Sequence, residues 1–171
     1  MEASGVWDRL KLELVDGDLI TKMGKNRPHA ITHGIVTRWL MRVFGAEYIE
    51  SESPIDVAVE DVPTSEPVPD LIVLAKPSPE FPKNPVPADI RLVVEISDSS
   101  VGFDLTRKAE LYARAGIVEY WVFDVQVRRI VVHRDPANGL YHSVIAYGTR
   151  ESVSSLAAPD HQLRVAEAFG E

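Results

Sequence analysis

Three charged residues of this chain stand at positions where apolar side chains are expected. Glu95 lies inside the apolar segment 92–96, and Asp70 opens the apolar segment 70–74 directly after Pro69. Lys108 falls within the apolar stripe of a predicted helix when residues are placed about 100° apart. A carboxylate buried in a strand costs several kcal/mol unless it is paired, hydrogen-bonded or bound to a metal ion.

Taken together, the three residues have the chemistry needed to hydrolyse phosphodiesters. Two carboxylates on neighbouring strands can hold Mg²⁺ or Mn²⁺, with water and phosphate oxygens in the other positions. A lysine beside them can position or deprotonate the attacking water and stabilise charge on the phosphate. Each residue also has an ordinary explanation: a buried salt bridge for Glu95, a turn at the strand start for Asp70, and a solvent-directed side chain for Lys108.

A predicted βαβ unit would bring Glu95 and Lys108 together. The nearly continuous apolar segment 91–97 predicts a strand buried on both faces, 104–115 predicts a helix, and 118–124 predicts a second apolar strand. Short links between these elements predict that the two strands are parallel. Since the helix follows Glu95 after a short loop, the ammonium of Lys108 can reach that carboxylate.

The remaining elements predict a mixed α/β domain with one central sheet. The turn signals Asp16-Gly17 and Asn138-Gly139 predict hairpins that pair strands 10–15 with 18–23 and strands 128–134 with 140–147. The other predicted elements are a helix over 29–44, strands over 47–59 and 70–74, a proline-rich loop over 76–89, and one or two short strands within 152–169. We therefore predict a single domain over residues 1–171.

Composition narrows the class of protein. The chain has 171 residues, of which 45% are hydrophobic and 26% charged, as in soluble globular proteins. The absence of cysteine excludes disulfides and thiolate metal sites. No segment is apolar enough to cross a membrane and the first residues lack the features of a signal peptide, so we expect a cytoplasmic protein.

The charge balance limits how this chain could meet a nucleic acid. Lys plus Arg number 18 and Asp plus Glu number 26, a net charge of −8. Tight DNA binders normally present a basic surface instead. Any role on nucleic acid must therefore use local basic residues, or metal ions that bridge to phosphate.

The sequence around the three charged residues resembles a nuclease family. Pro69-Asp70 followed by Glu95-Ile96-Ser97 resembles the PD-(D/E)XK nuclease superfamily. A longer pattern resembles the bacterial Uma-type restriction endonuclease family. It consists of Glu13-Leu14-Val15-Asp16-Gly17, Arg27-Pro28-His29, Val94-Glu95-Ile96-Ser97, Asp104-Leu105 with Lys108, Tyr112-Ala113, Gly116-Ile117 and Glu119-Tyr120-Trp121. The similarity covers residues 9–134. It implies a restriction-endonuclease-like fold, with the predicted hairpins added at both ends, and metal-dependent DNA cleavage.

One position departs from the superfamily pattern. The superfamily has a lysine two residues after the second acid, where this chain has Ser97. By the resemblance, Lys108 replaces that lysine from the following helix; if it pointed to solvent, the chain would be a degenerate, inactive relative. The resemblance thus gives Asp70, Glu95 and Lys108 as catalytic residues, the first two as metal ligands, and Ser97 as a candidate substrate contact.

Other residues are candidates for contacts with the substrate. Lys25 and Arg27, together with Lys22, form a basic loop before a helix start, which is either a phosphate-contacting arm or a solvated loop. Glu13 is either a third acidic group near the metal or an ordinary exposed glutamate. The resemblance places His29 near the site.

Two functions from different classes follow. The leading one is a Mg²⁺- or Mn²⁺-dependent endonuclease that hydrolyses DNA phosphodiester bonds. The alternative is a catalytically degenerate module that keeps the fold for binding protein or nucleic acid; the acidic charge and Ser97 favour it. For the enzyme we expect a homodimer, because cutting both strands of a duplex usually takes two active sites.

Overall fold

The computed structural model describes residues 11–22 and 25–171. Its strands and helices, in chain order, are β1 (Leu12–Val15), β2 (Asp18–Thr21), α1 (Arg27–Phe44), β3 (Ile49–Ser51), β4 (Leu71–Leu74), β5 (Ile90–Ser97), α2 (Val101–Phe103), a π-helical turn (Asp104–Lys108), α3 (Ala109–Arg114), β6 (Glu119–Asp124), β7 (Arg129–Ala137), β8 (Leu140–Tyr147), β9 (Ser152–Ser155), β10 (Ala158–Arg164) and α4 (Val165–Ala168). The predicted strand ends Leu10 and Met23, the predicted loop residue Gly24 and the N-terminal residues 1–5 lie outside the described residues.

A six-stranded mixed sheet forms the centre of the fold. Its strand order is β3-β4-β5-β6-β7-β8. Strands β5 and β6 are parallel, and the other neighbouring pairs are antiparallel. The predicted βαβ unit and the mixed α/β class with one central sheet are therefore confirmed.

Both faces of β5 and β6 are covered, which explains why their sequences are apolar throughout. On one face, Val94 and Trp121 pack in a cluster with residues of α1 and α4. On the other face, Val93 and Tyr120 pack with Tyr112 of α3. A carboxylate within β5 is consequently shielded from water on whichever face it lies.

The helical segment between β5 and β6 is less regular than its sequence predicts. It begins at Val101, and a π-helical turn interrupts it at Asp104–Lys108. The buried carboxylate of Asp104 accepts hydrogen bonds from Ser97 Oγ at 2.5 Å and Ser100 Oγ at 2.7 Å. These hydrogen bonds connect the π-helical turn to the end of β5. Such turns inside helices are frequent at functional sites.

The predicted strand over 47–59 is wrong beyond its first third. Only Ile49–Ser51 pairs with β4, and the backbone turns at Glu52, whose φ is 54°. The amide of Glu52 donates to the carbonyl of Asp70 at 3.1 Å. This hydrogen bond therefore fixes the main chain at Asp70, directly before β4.

Both predicted hairpins at Gly-containing turns are confirmed. In the first, Val15 pairs with Asp18, and Asp16 and Gly17 both have positive φ. The second has the same turn geometry at Asn138-Gly139. Positive φ at both central residues is typical of the type I′ turn, whose twist suits antiparallel strands.

The C-terminal segment forms a third hairpin, β9 with β10, followed by α4. It is attached to the sheet through the fully buried Glu119, which accepts hydrogen bonds from Arg134 Nη2 at 2.6 Å and Ser155 Oγ at 2.7 Å. Across residues 11–22 and 25–171, no helix is both long and apolar enough to span a membrane.

Candidate functional site

A cavity of about 650 Å³ lies where the β1–β2 hairpin, the first turn of α1 and the end of β5 meet. Six acidic residues line it, among them three from different elements: Glu13 from β1, Asp70 from the residue before β4, and Glu95 from β5. All three are at most 4% exposed. The fold thus brings together acidic residues that are far apart in the sequence.

Glu95 uses its two carboxylate oxygens differently. Oε1 accepts a hydrogen bond from Lys108 Nζ at 2.5 Å and one from the Tyr112 hydroxyl at 3.3 Å. Oε2 lies 3.7 Å from Lys22 Nζ. One oxygen is therefore fixed by the helix behind it, and the other faces Lys22.

Asp70 has the same division between its two oxygens. Oδ2 accepts a hydrogen bond from the Ile96 amide at 2.8 Å and lies 3.7 Å from His29 Nε2. Oδ1 lies 3.2 Å from Lys22 Nζ. Asp70 Oδ1 and Glu95 Oε2 thus face the same ammonium group, and we call them the free oxygens because no other hydrogen-bonding or charged group contacts them within the described part of the chain.

Lys22 was expected in a basic loop, and the structure places its side chain between the two carboxylates instead. Its Nζ also donates to the carbonyl of Val68 at 2.6 Å. The register of the β1–β2 hairpin explains this position. The Lys22 amide donates to the Lys11 carbonyl, so the strand pairing extends by one residue to Lys22. With alternation, that register puts Lys22 on the same hairpin face as the buried Glu13.

Lys108 is fully buried, so the solvent-directed alternative is wrong. Besides Glu95, its Nζ contacts Glu13 Oε2 at 2.8 Å, and that oxygen also accepts from the Val68 amide at 3.1 Å. Glu13 is accordingly not an ordinary exposed glutamate. Lys108 does not line the cavity, whereas Glu13 does.

The surroundings push the pKa values of the two facing carboxylates in opposite directions. Burial raises the pKa of Glu95 to about 8, against the opposing charges of Lys108 and Lys22. Burial also acts on Asp70, but the hydrogen bonds and charges of His29, Lys22 and the Ile96 amide outweigh it and hold the pKa of Asp70 well below its usual range. Divergent values within one pair of acids are typical of catalytic sites.

The pKa of Lys22 reflects the same arrangement. Burial alone would lower it, but the carboxylates of Glu95 and Asp70 outweigh that effect and raise it. Lys22 is therefore a cation at neutral pH. It fills the place between two carboxylates that a metal ion could take.

The remaining sequence candidates lie at different distances from this centre. His29 lines the cavity, and its Nδ1 is buried with no hydrogen-bond partner among the described residues. Lys25 lines the cavity and pairs with Glu52. Arg27 is exposed at the start of α1, outside the cavity lining, and Ser97 is fully buried against Asp104 instead of facing the cavity.

The donor set fits a hard cation better than zinc. Within the described residues, no group of three or more His, Cys, Asp or Glu side chains is arranged to hold a metal ion, as a structural zinc site would require. Mg²⁺ and Mn²⁺ differ, since one or two carboxylates suffice when water and phosphate oxygens supply the remaining positions. The two oxygens of Asp70 and Glu95 that face Lys22 meet that requirement.

Comparison with a solved structure confirms the mixed α/β fold. The fold matches the crystal structure of "a putative nuclease belonging to DUF820" from Anabaena variabilis ATCC 29413 with a TM-score of 0.73 and 15% sequence identity, over 92% of this chain and 89% of that one. At this identity the similarity shows the fold alone.

The family follows from the sequence itself. Residues 6–166 match Uma2, described as "Putative restriction endonuclease", and the chain therefore belongs to the Uma2 family. This confirms the resemblance to the Uma-type family carried by the longer pattern that begins at Val94. No curated protein matches the chain significantly. The description of the family supports a nuclease.

Proposed function

We propose that this protein is a Mg²⁺- or Mn²⁺-dependent endonuclease that hydrolyses DNA phosphodiester bonds. The observation that carries the proposal is that the free oxygens of Asp70 and Glu95 face one cation, the Lys22 ammonium, inside a cavity. The description of the Uma2 family as restriction endonucleases supports DNA as the substrate.

In this proposal Asp70 and Glu95 hold the divalent ion. Their other oxygens are fixed by the Ile96 amide and by Lys108, so the two carboxylates are oriented before an ion binds. A bound divalent ion would neutralise charge on the phosphate and lower the pKa of the attacking water.

Lys108 is proposed to act through Glu95 and not on the substrate. Its ammonium contacts Glu95 and Glu13 and lies outside the cavity lining. It holds the Glu95 carboxylate in one orientation and offsets its charge. This is a positioning role, and it differs from the direct action on the attacking water that the sequence suggested.

Cationic and polar side chains at the cavity would bind the DNA backbone. Lys25 and His29 line the cavity beside Asp70, and Arg27 is exposed at the start of α1, two residues before His29. Because the chain carries a net charge of −8, such local contacts and the metal ion must together attract the polyanion.

The test is cleavage of supercoiled plasmid with Mg²⁺ or Mn²⁺, compared with EDTA. We expect Asp70→Asn and Glu95→Gln to reduce cleavage by at least about 100-fold, since each removes a metal ligand. Glu119→Gln is the matched control, because Glu119 is equally buried but lies on the sheet face of Trp121, opposite Glu95. Metal-independent cleavage, or equal losses in all three folded variants, would contradict the proposal.

A further inference from the structure

The lysine that faces the proposed reaction centre is Lys22, not Lys108. Lys22 lines the cavity, whereas Lys108 lies behind Glu95 and is fully buried. The Lys22 ammonium contacts the free oxygen of Asp70 at 3.2 Å and lies 3.7 Å from the free oxygen of Glu95. Ser97, at the motif position of the missing lysine, is turned to Asp104.

We propose that Lys22 has two successive positions. In the metal-free protein its ammonium holds the cation position between Asp70 and Glu95. When a divalent ion binds these carboxylates, Lys22 leaves that position and places its ammonium against the substrate phosphate. This inference rests on the proposed function, because it needs the same two metal ligands.

Electrostatic repulsion requires the Lys22 ammonium to leave its position when a divalent ion binds. The oxygens that would bind the divalent ion are the ones that Lys22 contacts now, and two cations cannot share them without strong repulsion. Ion binding must therefore compete with Lys22. A competing state reduces the apparent affinity of a ligand by the fraction of molecules in the binding-competent state.

The anchoring of Lys22 limits where its ammonium can go. Its amide donates to the Lys11 carbonyl at 2.8 Å, so the main chain of Lys22 is fixed at the end of the hairpin. The flexible four-carbon stem lets the ammonium move only within the cavity that Lys22 lines. A phosphate bound there would accept hydrogen bonds from the ammonium, with no proton transferred, and its developing charge would be stabilised.

The first experiment measures Mn²⁺ binding by titration calorimetry. Lys22→Met and Lys22→Gln should bind Mn²⁺ about tenfold more tightly than the natural sequence, because the competing charge is gone. The glutamine variant keeps a hydrogen-bonding group for the Val68 carbonyl, which protects the fold if the methionine variant is unstable. Lys83→Met is the control, since Lys83 is exposed and lies outside the cavity lining; its affinity should not change.

The second experiment measures plasmid cleavage by the same variants at saturating Mn²⁺. We expect Lys22→Gln to lose at least about 100-fold in rate despite its tighter metal binding. A merely structural lysine would not combine these two effects. Equal or weaker Mn²⁺ affinity of the Lys22 variants would overturn the competition, and full cleavage at saturating metal would overturn the phosphate contact. If the natural sequence neither binds Mn²⁺ nor cleaves, the proposed function itself fails and this inference with it.

Discussion

Replacing Lys108 with methionine would test how the buried charges hold the site together. The substitution removes the ammonium that lies 2.5 Å from Glu95 and 2.8 Å from Glu13, and it leaves both carboxylates buried. Methionine has nearly the length of the lysine stem, so the change removes charge while creating little empty space.

The expected loss follows from what remains around the two acids. Removing one partner of a buried ion pair typically costs about 3–5 kcal/mol, because the other charge is left uncompensated. Tyr112 and Lys22 still face Glu95, and the Val68 amide still donates to Glu13. Burial raises the pKa of Glu95 to about 8, so Glu95 can take up a proton and leave Glu13 as the uncompensated charge. We therefore expect the lower end of that range, about 3 kcal/mol at pH 7. Adding Glu95→Gln to the variant should recover part of the loss, with a coupling energy of about 1–3 kcal/mol.

Urea unfolding followed by tryptophan fluorescence measures this loss, since Trp39 and Trp121 are both buried in the core. Arg114→Met is the control, because Arg114 forms partly exposed ion pairs and should cost less than about 1 kcal/mol. If Lys108→Met destabilises the protein no more than Arg114→Met, the Lys108 ammonium does not stabilise the buried acids.

Further predictions concern pH, DNA binding and assembly. Burial raises the pKa of Glu95 from 4.5 to about 8, so its contribution to stability is full at low pH and is lost as the pH rises between these two values. In urea unfolding measured from pH 4.5 to about 8, Glu95→Gln should remove this decrease in the free energy of unfolding. Although burial opposes it, neighbouring donors and cations keep the pKa of Asp70 low, so its contribution is present at neutral pH and lost in acid. Asp70→Asn should cost about 1–3 kcal/mol at pH 7, and a smaller loss at pH 7 than at pH 3 would contradict this. Lys25→Met should weaken binding of a short duplex and lower the slope of log K against log salt by about 1; an unchanged slope would remove Lys25 from the DNA contacts. Sedimentation velocity should show a homodimer, and Ile145→Lys should weaken it, because Ile145 is exposed on the edge strand β8, which carries no charged residue; a monomer at working concentration would contradict the dimer.

Local sequence signals predicted the centre of the fold because those signals agree with the tertiary structure. Apolar runs covered on both faces predicted β5 and β6, and their short helical link predicted that they are parallel. The prediction of a strand over 47–59 was wrong because there the local pattern and the tertiary structure disagree. Ile55 and Val57 are buried although they lie in a loop that follows the turn at Glu52, and alternation cannot distinguish such a loop from a strand.

The candidate site was predictable only where a single residue contradicts its own surroundings. Asp70, Glu95 and Lys108 stand out because each is charged in an apolar segment, and the structure brings them together. Lys22 lies between Thr21 and Met23 at the end of a predicted strand, so no apolar segment marks it as buried and only the hairpin register indicates its face. Its position depends on how the β1–β2 hairpin packs over the end of β5, which is a long-range contact.

The role of Lys108 shows a further limit of sequence patterns. The helical wheel placed its side chain on the buried side correctly. It could not show that Glu13 would compete for the same ammonium, because β1 lies more than 90 residues away in the chain. Lys108 contacts both Glu13 and Glu95 Oε1, away from the cavity lining. The other oxygen of Glu95, Oε2, faces Lys22.

The most direct test of a divalent metal centre is anomalous diffraction from crystals soaked in Mn²⁺. We expect one anomalous peak about 2 Å from the oxygens of Asp70 and Glu95 that now face Lys22, with the Lys22 ammonium moved away from that position. Lys108 should remain on the opposite oxygen of Glu95. Absence of a peak there while Lys22 still bridges the two carboxylates, or a peak only at other acids such as Glu52, would rule out a metal centre at Asp70 and Glu95.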